Sequence, residues 1–182
     1  WLMWRDPLAA LPRPGVAATE AVADERRIDG RRLFHVNLVD PIIGSIGFTV
    51  SLPDSLPAAR LPVVMVLGGL GRGADNIAPV RAPGANALIG FDWPMPPRLP
   101  RGSGFVLQAP DLYGRLTATP GQIVAALEWA AIQPWADPDR ISLLGFSLGA
   151  LAAPAAQRLA QARGRSIRWT VLAYGGAGLG DI

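Results

Sequence analysis

The 182-residue sequence contains no cysteine, no lysine and a single histidine, His35. Without cysteine there are no disulfides, no thiolate metal sites and no cysteine nucleophile, and the redox compartment stays open. Without lysine, all 17 basic residues are arginine. That excludes a Ser–Lys dyad, a Schiff-base lysine and the lysine of a phosphate-binding loop. Charge is also scarce: 17% of residues are charged and 50% are hydrophobic, the balance of a globular chain. The net charge is +3, and the arginines are dispersed apart from the pairs Arg26–Arg27 and Arg31–Arg32. A nucleic-acid footprint would gather them on one element with aromatics between, so no nucleic-acid partner is expected. Residues 141–157 carry no charge, yet the run falls short of the ~20 apolar residues of a membrane span and is broken by Gly145, Gly149 and Pro154. The opening "WLMWRDPLAALPRPG" lacks an initiating methionine and reads as a processed or trimmed start. Its apolar part is too short for a signal peptide as it stands. A cytoplasmic and an exported protein both remain open, as does the oligomeric state.

What is present is organised. The length suits one domain with a sizeable core. Residues 1–30, rich in Pro, Ala and charge, read as an irregular arm with a short helix at most; residues 31–182 read as the folded domain. "LFHVNLVD" and "SIGFTVSLP" alternate apolar and polar residues and flank "PIIG", the pattern of two adjacent antiparallel strands. "VVMVLGG", "NALIGFDWP", "RISLLGFS" and "IRWTVLAYGG" are continuous apolar runs, as expected of strands buried on both faces. Helical patterns precede the last two. Thr119-Pro120 has the form of a cap and first turn, with Ile123, Leu127, Ala130 and Ala131 on one face. Leu148, Ala152, Ala155 and Leu159 define a second helix, which Pro154 should kink or weaken. The Pro- and Gly-dense stretch between Pro94 and Gly114 reads as a surface loop. Antiparallel strands followed by strand–helix–strand units predict an α/β fold: a mostly parallel sheet with helices on both faces and antiparallel N-terminal strands.

Two glycine-rich elements carry candidate chemistry. The first is Gly145-Phe146-Ser147-Leu148-Gly149, where a buried strand stops and a helix starts. A serine on such a turn lifts its hydroxyl above the sheet, and glycines two positions to either side leave room for the crossing backbone. The N–H that follows, on Leu148, then points at a developing oxyanion. The second is "VLGGLGRG", after the first buried run, where Gly69 or Leu70 can supply another backbone donor.

The order of these elements resembles the α/β-hydrolase superfamily, most closely its dienelactone hydrolase and prolyl-oligopeptidase-like esterase branches. The resemblance covers roughly residues 33–176 and includes Asp137-Pro138-Asp139-Arg140-Ile141, a phrase that in those branches leads into the strand before the nucleophile. It implies a serine hydrolase acting on a small-molecule acyl substrate, with Ser147 as nucleophile and an oxyanion hole from the backbone of Leu148, Gly69 and Leu70. Gly145 and Gly149 would be the elbow glycines. No cofactor and no metal are implied. Leu67 stands where such loops often carry a histidine.

A serine needs a base, usually histidine oriented by a carboxylate. In the resembling family the acid and then the histidine follow later strands. His35 lies far upstream and reads as a polar hairpin residue. Asp181 is the one acid after Ser147 and so a candidate for the triad acid. The expectation is that the chain is the front part of a longer hydrolase, inactive alone, with its histidine beyond residue 182. Two rivals remain. One is a non-catalytic binding module of the same fold. The other is a dinucleotide-binding oxidoreductase, since Gly69, Gly71 and Ala74 match the Gly-x-Gly-x-x-Gly/Ala fingerprint and Asp92 lies near the ribose-contact spacing.

Overall fold

Val63, Met65 and Leu67 are almost fully buried in strand β4 (Leu61–Leu67), which runs through the middle of the sheet. The computed structural model describes residues 7–16, 18–69, 73–96 and 103–173. Among these, seven strands form one sheet in the order β1-β2-β3-β5-β4-β6-β7. The N-terminal strands β1 (Ala18–Ile28), β2 (Arg31–Asp40) and β3 (Gly44–Pro53) pair antiparallel, and β3 joins β5 (Ala87–Phe91) antiparallel as well. From there β5, β4, β6 (Ala136–Phe146) and β7 (Trp169–Ala173) run parallel. The predicted α/β architecture, with antiparallel strands leading into a parallel sheet, is the one observed.

Helix α1 (Gly73–Ile77) packs on β5, β3 and β4, while α2 (Ser103–Ala131) and α3 (Leu148–Ala162) pack on each other and on β6. The main core lies between the sheet and α2, with Phe48, Phe91, Met65, Ile123, Leu127 and Ile141 all fully buried. A smaller cluster of Val66, Ile77 and Leu88 fills the space under α1. Edge-to-face contact between Phe48 and Trp129, ring centroids 5.1 Å apart, joins β3 to α2.

The Asp137–Ile141 phrase, which lies at the start of β6, has a mechanical role. Arg140 donates to the Asp137 carboxylate and, through Nη2, to the Arg60 carbonyl at 2.7 Å, while the Asp139 N–H donates to Asp137 Oδ1 at 3.0 Å. These bonds tie the start of β6 to the residue before β4, in the register that brings Leu67 beside Gly145 at the other end. The hydrogen bond from Arg140, helped by the Asp139 N–H, holds the Asp137 carboxyl below its ordinary value.

Four expectations are corrected. Residues Ala18–Ile28, assigned to an irregular arm, form β1; an edge strand, paired among the described residues with β2 alone, tolerates the charges that obscured it. The Pro94–Gly114 stretch is not all loop, because α2 starts at Ser103 and runs through Pro110 and Pro120. Thr119 is therefore inside the helix, its hydroxyl donating to the Arg115 carbonyl at 2.9 Å, and does not cap it. The last apolar run, β7, is not buried on both faces: Trp169 is 66% and Val171 52% exposed. It pairs with β6 alone among the described residues. As expected, a helix does span Leu148–Ala162; it is continuous through Pro154, which faces solvent.

Candidate active site

β6 ends at Phe146 and α3 begins at Leu148, so one residue, Ser147, makes the whole turn. Its φ of 51° and ψ of −118° place it where side chains are strained, and the residue is exposed. The only other described non-glycine residue with positive φ is Asp29, in a hairpin turn. Strain of this kind amounts to about 1–3 kcal/mol and persists only where the surroundings impose it. Here they do. The Ser147 N–H donates to the Ala173 carbonyl at 3.2 Å, tying the turn to β7, and the Ala150 N–H donates back to the Ser147 carbonyl at 2.9 Å. The serine side chain makes no capping bond to the helix, so its hydroxyl is not spent on local structure.

The two flanking glycines are explained by contact. A Cβ on Gly145 would stand 2.7 Å from the Gly149 carbonyl oxygen, and one on Gly149 would overlap the Leu67 carbonyl. The first turn of α3 thus rests directly on the end of β4. Gly68 and Gly69 continue from that point, so the start of the glycine-rich loop and the Ser147 turn lie at the same edge of the sheet. Leu148 and Gly149 open α3, where first-turn N–H groups lack partners within the helix. Leu70, Gly71 and Asp181 lie outside the described residues.

Replacing Ser147 with glycine should relieve the strain. We expect Ser147→Gly to raise unfolding stability by about 1 kcal/mol, net of the glycine's larger chain entropy. A urea transition with a higher midpoint and an unchanged slope would show it.

His35 is not near this turn in the sheet. It lies in β2, aligned through Thr49 of β3 with Gly90 of β5. Its Nε2 is 3.6 Å from Asp92 Oδ2, and its Nδ1 is 3.4 Å from the Thr49 hydroxyl. Asp92 in turn accepts a hydrogen bond from the Gly73 N–H at the start of α1. The sequence placed Asp92 near the ribose-contact spacing of the dinucleotide reading and gave no sign of this pairing, which depends on strand register. The arrangement counts against the dinucleotide reading. Asp92 is turned onto Gly73 and His35, and a carboxylate already takes the N–H at which that reading would open its phosphate-facing helix.

Comparison with known proteins decides the architecture. No family model and no curated protein matches the chain. Solved structures do. An acetyl xylan esterase from Paenibacillus sp. R4 superposes with a TM-score of 0.57 at 21% identity, over 81% of this chain and 51% of that one. The fold is that of the α/β-hydrolases. A bacterial heroin esterase matches with a TM-score of 0.57 at 19% identity, over 81% of this chain and 45% of its own. A hyperthermophilic esterase from the archaeon Pyrobaculum calidifontis matches with a TM-score of 0.55 at 19% identity, over 81% and 44%. The chain thus spans about half the length of these solved structures.

Proposed function

We propose that the protein is a serine hydrolase that cleaves an ester, thioester or related acyl bond through an acyl-enzyme at Ser147. The observation that carries the reading is the strained, exposed Ser147 on its one-residue turn, with no room for a side chain at Gly145 or Gly149. The Ser147 hydroxyl oxygen attacks the substrate carbonyl and gives its proton to a base. The tetrahedral oxyanion takes hydrogen bonds from the Leu148 N–H and from the backbone of Gly69 and Leu70. Collapse expels the alcohol or thiol, which receives the proton, and water then releases the acid by the reverse sequence.

The base in this reading is a histidine after residue 182, because His35 faces Asp92 and the chain covers only 45–51% of the matched esterases. The acid is either Asp181 or a later carboxylate. The substrate is a small acyl compound.

The test compares two proteins on p-nitrophenyl acetate. The full-length protein should turn it over, and residues 1–182 alone should retain at most the residual catalysis of an incomplete triad, about 10³–10⁴ over water. Equal activity in both, abolished by Ser147→Ala, would place the base within residues 1–182. Activity in neither would favour a binding role for the fold.

A further inference from the structure

The glycine-rich loop after β4 is held at both ends by one short stretch, Phe91-Asp92-Trp93. At its start, the Trp93 indole Nε1 donates to the Gly68 carbonyl at 3.0 Å. At its finish, the Gly73 N–H donates to Asp92 Oδ1. One turn further on, Asn76 Nδ2 donates to the Phe91 carbonyl at 3.2 Å, and its amide fills the space that a Cβ on Gly68 would need. Trp93 is itself buried and packs edge-to-face on Phe91, with ring centroids 5.8 Å apart.

Asp92 is fixed from the opposite side. Its N–H donates to the Gly47 carbonyl at 3.0 Å. Gly47 has no side chain, and a Cβ there would come within 2.8 Å of Asp92 Oδ2. That same oxygen faces His35, which is backed by Thr49. Strands β2, β3 and β5 therefore converge on one carboxylate. One of its oxygens faces β2 and β3, and the other grips the end of the loop. A side chain that only closed β5 would need none of these partners.

We infer that Asp92 is a positioning residue for the acyl-transfer reaction. By fixing Gly73, while Trp93 fixes the Gly68 carbonyl of the peptide that carries the Gly69 N–H, it sets where the Gly69 backbone donor stands relative to Ser147. The inference rests on the reading of that loop as an oxyanion donor. Oxyanion donors act only when held at the position the charge will occupy, so loosening the far end of the loop should weaken transition-state binding more than substrate binding.

The test is steady-state kinetics of the full-length protein on p-nitrophenyl acetate. Asp92→Ala is expected to lower kcat about 10²-fold, the scale of one lost oxyanion donor, with KM changed less than about threefold. Asp92→Asn keeps an acceptor oxygen for Gly73 and should recover at least about tenfold of that loss. Trp93→Phe keeps the ring but removes the donor to Gly68, and should lower kcat by about tenfold in the same kcat-selective way. If Asp92→Ala does not fold, as read by circular dichroism, the Asn and Phe variants carry the test. Unchanged kcat in the folded variants, or a loss confined to KM, would overturn the positioning role. A wild-type protein whose Ser147 does not react with a fluorophosphonate would instead overturn the hydrolase reading beneath it.

Discussion

Ser147→Ala in the full-length protein is expected to abolish ester turnover, lowering kcat by about 10⁶-fold, the scale seen when a nucleophile is removed from a serine triad. The reason is chemical. In the proposed mechanism the hydroxyl oxygen forms the covalent bond of the acyl-enzyme, and residues 1–182 hold neither cysteine nor lysine to replace it. The fold should survive. Ser147 makes no side-chain capping bond, its side chain is exposed, and alanine suffers the same backbone strain as serine. Circular dichroism and the unfolding midpoint should therefore match wild type within about 0.5 kcal/mol, while activity on p-nitrophenyl acetate disappears. Loss of activity together with loss of fold would point to a structural serine.

Gly149→Ala is expected to damage folding rather than chemistry. The added methyl group would overlap the Leu67 carbonyl, which is backbone of strand β4 at a fully buried residue and cannot swing aside. The clash is relieved only by lifting α3 from the sheet, which would open contacts of Ala150, Ala153 and Ala156, all buried against it. A loss of about 4 kcal/mol or more follows, at the severe end for a single substitution and enough to unfold many domains. Gly114→Ala is the control: Gly114 lies on an exposed part of α2, and an added Cβ there meets open space. It should stabilise by a few tenths to about 1 kcal/mol through helix propensity alone. Urea midpoints of the three proteins would check both statements; equal midpoints for Gly149→Ala and wild type would mean that the elbow is looser than its contacts require.

The parallel strands were legible because burial on both faces makes them continuous apolar runs, as in β4 and β5. The Ser147 turn was legible because close backbone crossings admit only glycine, and that need prints a fixed spacing. Strand β1 was not, since an edge strand with register shifts can carry Asp24, Glu25, Arg26 and Arg27 in a row. The first half of α2 was hidden by Pro110 and the surrounding glycines, which signal a loop locally but sit in a helix held by its buried second half. The exposure of β7 was invisible because an apolar run records which residues prefer burial, not what covers them. The hold of Asp92 and His35 on the glycine-rich loop depends on a register spanning three strands, from His35 through Thr49 to Gly90, and no spacing within the chain encodes it.

The central claim is that Ser147 is an activated nucleophile. It is tested most directly by treating the full-length protein with a fluorophosphonate probe and mapping the adduct by mass spectrometry. The account predicts one adduct, on the peptide containing Ser147, absent in Ser147→Ala. A folded full-length protein that stays unlabelled, or that is labelled elsewhere with Ser147 untouched, would contradict it.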